Sequence, residues 1–249
     1  MYLIIGLLAG VFGGLVGIGG GAVMIPLLVG LIKVEQHKAH GASLFALVFT
    51  GITGMLVYQR YDSVNMGAAA VLAVTAVLTV RFGVKYAAAL PGWQLKKAFG
   101  GLLCFVAVML PLKTVLTASL FSLGLVGSGV VLSLAGALTG FLSGMMGIGG
   151  GVIMVPALAL LVGFDQHTAQ GTSLLAMVPI GAVAAYEHWR LDLVCKKALP
   201  YLVPGIIVGS IIGGNLAHHL PDFTLKLVFA AVLLWTGFKF ITTPKPPLK

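Results

Sequence analysis

Residues 16–28 read VGIGGGAVMIPLL and residues 146–158 read MGIGGGVIMVPAL, the same glycine cluster and proline at a spacing of 130. Each glycine disfavours a helix by roughly 1 kcal/mol relative to alanine, yet both clusters sit in strongly apolar surroundings. The spacing extends well beyond the clusters. Residues 17–62 shifted by 130 positions give 20 identities in 46 without a gap. Further on, Gly83, Leu90, Pro91, Leu95, Lys96 and Phe99 meet Gly213, Leu220, Pro221, Leu225, Lys226 and Phe229. The chain is therefore expected to consist of two homologous halves, 1–114 and 115–249.

What can such a duplicated chain fold into? Apolar residues make up 59% of its 249 positions and charged residues 8%, with a mean hydropathy of +1.09. A soluble domain carries about 25% charged residues, so lipid must cover most of this surface. The expected class is an all-α integral membrane protein. The opening MYLIIGLLAG lacks a basic n-region and a small-residue cleavage site, and is expected to be a retained membrane segment. Cys104 and Cys195 read as packing residues. The net charge of +9 is scattered between apolar segments, a pattern of membrane orientation and not of nucleic-acid binding.

Apolar segments lie near 2–32, 41–59, 66–84, 95–111, 129–163, 171–189, 198–216 and 225–241, about eight in all. Gly17–Gly21 divides the first into arms of about 15 and 11 residues, neither long enough for a ~30 Å core at ~1.5 Å per residue. A re-entrant hairpin follows, and with it three spanning helices per repeat. An odd number of spans makes the two repeats inverted. Basic residues agree: eight full spans divide them seven to eight, whereas the re-entrant arrangement divides them twelve to three, leaving only Arg60, Lys113 and Lys226 in the minority. Cytoplasmic loops carry the basic excess. Both termini and residues 33–40 are thus expected in the cytoplasm, and residues 164–170 outside.

Three groups of residues bear on chemistry. Helices starting at the glycine clusters would present backbone N–H groups and a positive dipole end to an anion, through Gly19, Gly20, Gly21, Gly149, Gly150 and Gly151. Broken helices of this kind mark midplane substrate sites in inverted-repeat transporters. The competing reading is that the glycines serve close helix crossing. Next come EQHKAHGASL at 35–44 and DQHTAQGTSL at 165–174. Gln36, His37, Ser43, Gln166, His167, Thr172 and Ser173 can donate hydrogen bonds to an oxyanion, or act as solvated loop and helix-packing residues. Tyr58, Arg60 and the run YEHWRLD at 186–192 read as interfacial anchors, with Glu187 and Arg190 spaced to pair on one face. Gly205, Gly209 and Gly213, and their mates Thr75, Thr79 and Gly83, form small-residue packing stripes. The pattern Gly17, Gly19, Ala22 mimics a dinucleotide fingerprint without its strand or ribose-binding acid, so that reading fails.

The doubled GIGGG-x₄-P followed by QH-x-A-x-G-[AT]-S-L resembles the TauE/SafE family of sulfite and organosulfonate exporters, over nearly the whole chain. The resemblance implies a carrier for small sulfur-containing anions in the inner membrane of a bacterium. Ala42, where the second copy has Thr172, departs from the repeat and makes the two half-sites unequal. The expectation is a secondary transporter working by alternating access, with a small anion and the bilayer as partners, no nucleic acid and no cofactor or metal. A homodimer is left open. An anion channel with paired half-helices is the alternative, although the paired Asn-Pro-Ala motif of aquaporins is absent. An enzyme is not expected, for want of paired carboxylates, a Ser/Lys dyad or a cysteine pair.

Overall fold

The computed structural model describes residues 1–86, 100–101, 104–105, 107–108, 125–146 and 149–242, and the side chains of Gln36, Leu125, Val126, Gly127, Met146 and Phe240 lie outside the described set. Most of the 95–111 segment, with Lys96, Lys97 and Phe99, and also Leu90, Pro91, Lys113, Lys245 and Lys249, falls outside the described residues. The elements are α1 (Tyr2–Val16), α2 (Gly21–Leu31), α3 (Gln36–Gln59), α4 (Met66–Tyr86), α5 (Leu125–Met146), α6 (Gly151–Pro156), α7 (Gln166–Arg190), α8 (Leu199–His218) and α9 (Asp222–Ile241). A π-helical turn, Ala157–Val162, prolongs α6. No strand occurs among the described residues. Among the described residues, five helices are long and apolar enough to cross a bilayer: 37–59, 66–86, 128–145, 166–190 and 199–218. Their outward faces carry Leu78, Phe82, Leu134, Tyr201 and Val208, all more than half exposed, which suits contact with lipid tails. This is a multi-pass membrane protein.

Glycine placement fixes how the helices pair. A β-carbon on Gly6, Gly10 or Gly14 of α1 would collide with the backbone of Leu202, Ile206 or Ser210 of α8. Reciprocally, Gly205, Gly209 and Gly213 of α8 meet the backbone of Leu3, Leu7 and Val11. The register rises together on both helices, so α1 and α8 run parallel in backbone contact. The sequence stripe is thus a packing seam, as small residues are in membranes. The same seam joins α4 to α5, where Gly136, Gly140 and Gly144 press on Leu72, Ala76 and Val80, and Gly83 on Phe141. There the Thr79 hydroxyl crosses to the Ala137 carbonyl at 2.7 Å. The first helix of each half therefore packs on the later helix of the other half.

Between these two pairs stand α3 and α7, which occupy equivalent positions of the repeat. Gly41 meets Leu193, Gly51 meets Leu174, and Gly171 meets Ser63. Rising numbers on one helix match falling numbers on the other, so the two run antiparallel.

At the glycine clusters the helices on either side come into contact. Gly20 approaches Ala9, and Gly150 approaches Thr139. α1 and α2 have the 15 and 11 residues expected of the arms. α5 does not: its 22 residues exceed the expected arm and reach across a ~30 Å core at ~1.5 Å each. Its extra residues precede position 131, where the repeat at a spacing of 130 can first be compared. The second broken helix also differs from the first, because the chain after Pro156 widens into the π-helical turn while Pro26 sits in a regular α-helix. Proline removes one N–H in both, so proline alone does not set the difference.

Candidate functional site: the crossing of the two glycine loops

The two clusters, 130 residues apart in sequence, lie against each other. A β-carbon on Gly149 would lie 2.9 Å from the Ile18 carbonyl oxygen, and one on Gly151 would collide with the Gly17 carbonyl and Ile18 Cα. Glycine is required here for two reasons. Gly19 and Gly20 have φ of 86° and 76°, and Gly149 has 85°, a region that side chains disfavour. A β-carbon on Gly20 would also lie 2.5 Å from the Ala9 carbonyl oxygen. The clusters form a tight crossing, and each also starts a helix, α2 at Gly21 and α6 at Gly151, that no side chain caps.

Leu47 of α3 and Met177 of α7, repeat mates and both fully buried, plug the crossing. Leu47 reaches Gly19 and Gly149, and Met177 reaches Gly19 and Gly151, so each contacts both loops. Beside Gly20 there remains a cavity of about 10 Å³ among Phe12, Val16, Ile18, Ala22, Val23 and Val232. That is room for one water at most. A wider cavity of about 400 Å³ along α5 and α6 is lined by apolar side chains, among them Leu134, Leu138, Ile153 and Leu160, and does not suit an anion.

The expected hydroxyls are all fully buried, with distinct tasks. Ser173 donates to the Gly17 carbonyl at 2.8 Å and so braces the first glycine loop from the opposite half. Ser43 donates to the His40 carbonyl within its own helix at 2.7 Å. The Thr172 hydroxyl oxygen accepts the Asn65 N–H at 2.9 Å, a bond that Ala42 in the other half cannot make. Gln166 is buried, and its backbone N–H reaches the Asp222 carboxylate at 2.8 Å. His167 donates from Nε2 to the Ala217 carbonyl at 3.1 Å and points Nδ1 at Asp222, 4.0 Å away. His37 is exposed, and the side chain of Gln36 lies outside the described residues.

Two sequence expectations are corrected. Tyr58 is not an interfacial anchor: it is fully buried, with its hydroxyl 3.0 Å from the Gly14 carbonyl and 2.8 Å from Gln170 Oε1. Glu187 pairs with Arg81 of α4 at 3.7 Å, while Arg190 lies over the Tyr186 ring, 5.9 Å from its centroid. Helix contact across the halves prevailed over spacing along one helix. Gln170 and His218 escaped the sequence reading, although Gln170 lies in the quoted motif. Its repeat mate is His40, so matching the halves hid it.

Asp165, His167 and Asp222 bring ligating atoms within 4.8 Å of one another. Their carboxylates are already engaged, however. Asp222 holds Lys226 at 2.6 Å, and Asp165 caps α7 through the Thr168 N–H at 3.0 Å. Partial burial opposes the charge on Asp165, but the hydrogen bonds from Thr168, with His167 alongside, hold its carboxyl below the usual range.

The described residues of this multi-pass chain hold no strand, and its two broken helices meet at the glycine loops. The chain belongs to the sulfite exporter TauE/SafE family, whose model matches residues 2–240. It is 26% identical to a probable membrane transporter protein of Bacillus subtilis, YunE, over 96% of both chains. It is 29% identical to one from Haemophilus influenzae, over 93% of this chain and 94% of that one. A third, MJ0441 of Methanocaldococcus jannaschii, is 25% identical over 94% of this chain and 91% of its own length. No solved structure matches significantly.

Proposed function

We propose that this protein is a secondary transporter that exports a small sulfur-containing oxyanion, such as sulfite or an organosulfonate, by alternating access between two inverted repeats. The observation that carries the reading is the contact of the two glycine loops between the antiparallel, repeat-related helices α3 and α7. An exchange of access needs two halves that can rock about one shared centre, and this crossing is such a centre. The uncapped starts of α2 and α6 favour an anion there, and the Ser43 and Ser173 hydroxyls would reach it by turning from the His40 and Gly17 carbonyls, with Thr172 as the third proposed hydroxyl. A space of about 10 Å³ at Gly20 fits an occluded stage of the cycle. The family's name supports the substrate class. An inside-negative potential favours outward movement of an anion by about 2.3 kcal/mol per charge per 100 mV.

Reconstituted in liposomes, the protein should carry labelled sulfite with saturation, and unlabelled sulfite on the far side should accelerate it. Flux that neither saturates nor responds to counter-substrate would return the anion-channel alternative. Inversion is tested separately, with both termini placed in the cytoplasm of a bacterial inner membrane. Lys38→Cys and Thr168→Cys, in a background lacking Cys104 and Cys195, should label with an impermeant thiol reagent from opposite sides. Labelling from one side sinks the inverted arrangement.

A further inference from the structure

Beside the glycine crossing, where Gln170 packs against Gly17, α3, α7 and α8 bury a second polar group, assembled around Tyr58. Gln170 turns Oε1 toward the Tyr58 hydroxyl at 2.8 Å. Its Nε2 then finds no hydrogen-bond partner among the described residues. Gln166, one turn earlier on the same face of α7, is fully buried, and neither Nε2 nor Oε1 has a partner. His218 of α8 sets its ring edge-on to Tyr58, with centroids 4.5 Å apart, and stacks on Tyr61 at 4.0 Å. Its Nδ1 lies 2.8 Å from the Gly214 carbonyl. A carbonyl only accepts, so Nδ1 carries the hydrogen. Nε2, buried and without a partner, is left as a bare lone pair in the neutral ring.

Buried polar atoms are nearly always hydrogen-bonded. Here two amide NH₂ groups, one amide oxygen and one imidazole nitrogen are not, and all belong to residues gathered at one end of the α3–α7 pair. The two amide NH₂ groups call for an acceptor, and Gln166 Oε1 calls for a donor. Nε2 calls for a hydrogen, either as a donor group on the ligand or as a proton of its own. A small oxyanion arriving with one proton satisfies the NH₂ groups and Nε2, and leaves Gln166 Oε1 for a water. Other ionisable groups facing this region are already committed. His167, its ring 5.1 Å from that of His218, lies between the Ala217 carbonyl and Asp222. Asp222 is paired with Lys226, Asp165 caps α7, and His219 is exposed with Nδ1 on the Asn215 carbonyl. Tyr61 lies beside the Asn215 amide oxygen at 3.3 Å.

We propose that Tyr58, Gln166, Gln170 and His218 form a second oxyanion site that takes the anion together with one proton from solvent. The Gln166 and Gln170 amides donate to the anion. The proton sits on His218 Nε2, donating to the anion, or on the anion, donating to Nε2. The inference rests on the transporter reading, and it changes what is carried: a monoanion plus a proton crosses as a neutral unit.

The test is calorimetric binding of methanesulfonate to the purified full chain, in buffers of different ionisation enthalpy between pH 6 and 8. Methanesulfonate takes up no proton itself in that range, so any uptake belongs to the protein. Wild type should bind close to one proton per anion at pH 8, with affinity falling toward tenfold per pH unit as His218 deprotonates in the free protein. His218→Asn keeps a donor for the Gly214 carbonyl but should lose the proton uptake and flatten the pH dependence. Gln166→Leu and Gln170→Leu should each weaken binding tenfold or more while leaving the proton count unchanged. Anion binding by wild type without proton uptake overturns the inference, as does an unchanged proton count in His218→Asn, and both leave the transporter reading standing. Absence of methanesulfonate binding also overturns it. The transporter reading fails only if saturable sulfite flux is missing too.

Discussion

The two ends of the α3–α7 pair occupy equivalent positions in the repeat, yet they are furnished differently. At one end stand Tyr58, Gln166, Gln170 and Thr172; at the other the matching positions hold His188, Gln36, His40 and Ala42. Around the first end gather aromatic rings and amides. Around the second lie the Arg81–Glu187 pair, the Phe45–Trp189 ring contact at 5.5 Å and the Lys196–Asp192 pair at 2.8 Å. What the duplication preserved is backbone geometry: glycine seams, loop crossing, antiparallel helices. What it released is the chemistry of the two ends. A molecule open alternately at either end would then meet a different set of donors on each side, which lets loading and release be tuned apart.

This contrast can be broken by paired substitutions, and the largest effects should come from the glycine seams. Gly83→Leu and Gly213→Leu place side chains into the Phe141 and Val11 backbones. Each should abolish monodisperse protein in detergent, since overpacking that displaces backbone exceeds the usual ~1–3 kcal/mol. A clear difference between these two mates would show that the seams are not equivalent. Next in size are the plugs of the crossing. Leu47→Ala and Met177→Ala remove fully buried side chains, at about 2–5 kcal/mol each, and should lower the apparent melting temperature by similar amounts.

The chemically divergent ends should answer unequally. Tyr58→Phe leaves the Gly14 carbonyl and Gln170 amide oxygen without their buried donor, a loss of about 1–3 kcal/mol. His188→Phe gives up one hydrogen bond, from Nδ1 to the Ala184 carbonyl at 3.0 Å, about 1 kcal/mol. Equal melting shifts would erase the proposed distinction. Smallest is Asp165→Ala, which uncaps α7 at about 1 kcal/mol. The Asp165 carboxyl titrates below its usual value of 3.8 in the folded protein, so its contribution is complete above that pH and fades as pH falls through the lower folded value. Melting curves of wild type and variant should therefore differ at pH 7 and converge under strong acid.

The membrane class, helix breaks and packing stripes were all legible in the sequence because each depends on local composition or on the repeat. The starts of α2 and α6 fall at Gly21 and Gly151, where the glycine clusters place them. Partners across the halves were not legible. Tyr58 at the end of an apolar run looks like an anchor until α8 closes over it, and Glu187 looks paired to Arg190 until α4 supplies Arg81. The length of α5 was hidden for another reason: its added turns precede the repeated region, so comparison of the halves could not reveal them. Of the proposed ligand residues, those conserved between the halves were visible, whereas Gln170 and His218 show themselves only through unpaired atoms.

The parallel seams also impose an order on biogenesis. α1 is synthesised long before α8, the helix its glycine face is built for. α4 finds its partner α5 much sooner. Until residue 218 has emerged, α1 must stay in the bilayer beside lipid or an insertion factor, with a groove shaped for a helix not yet made. Truncation within α8 therefore leaves α1 unpartnered, although every residue of α1 is intact.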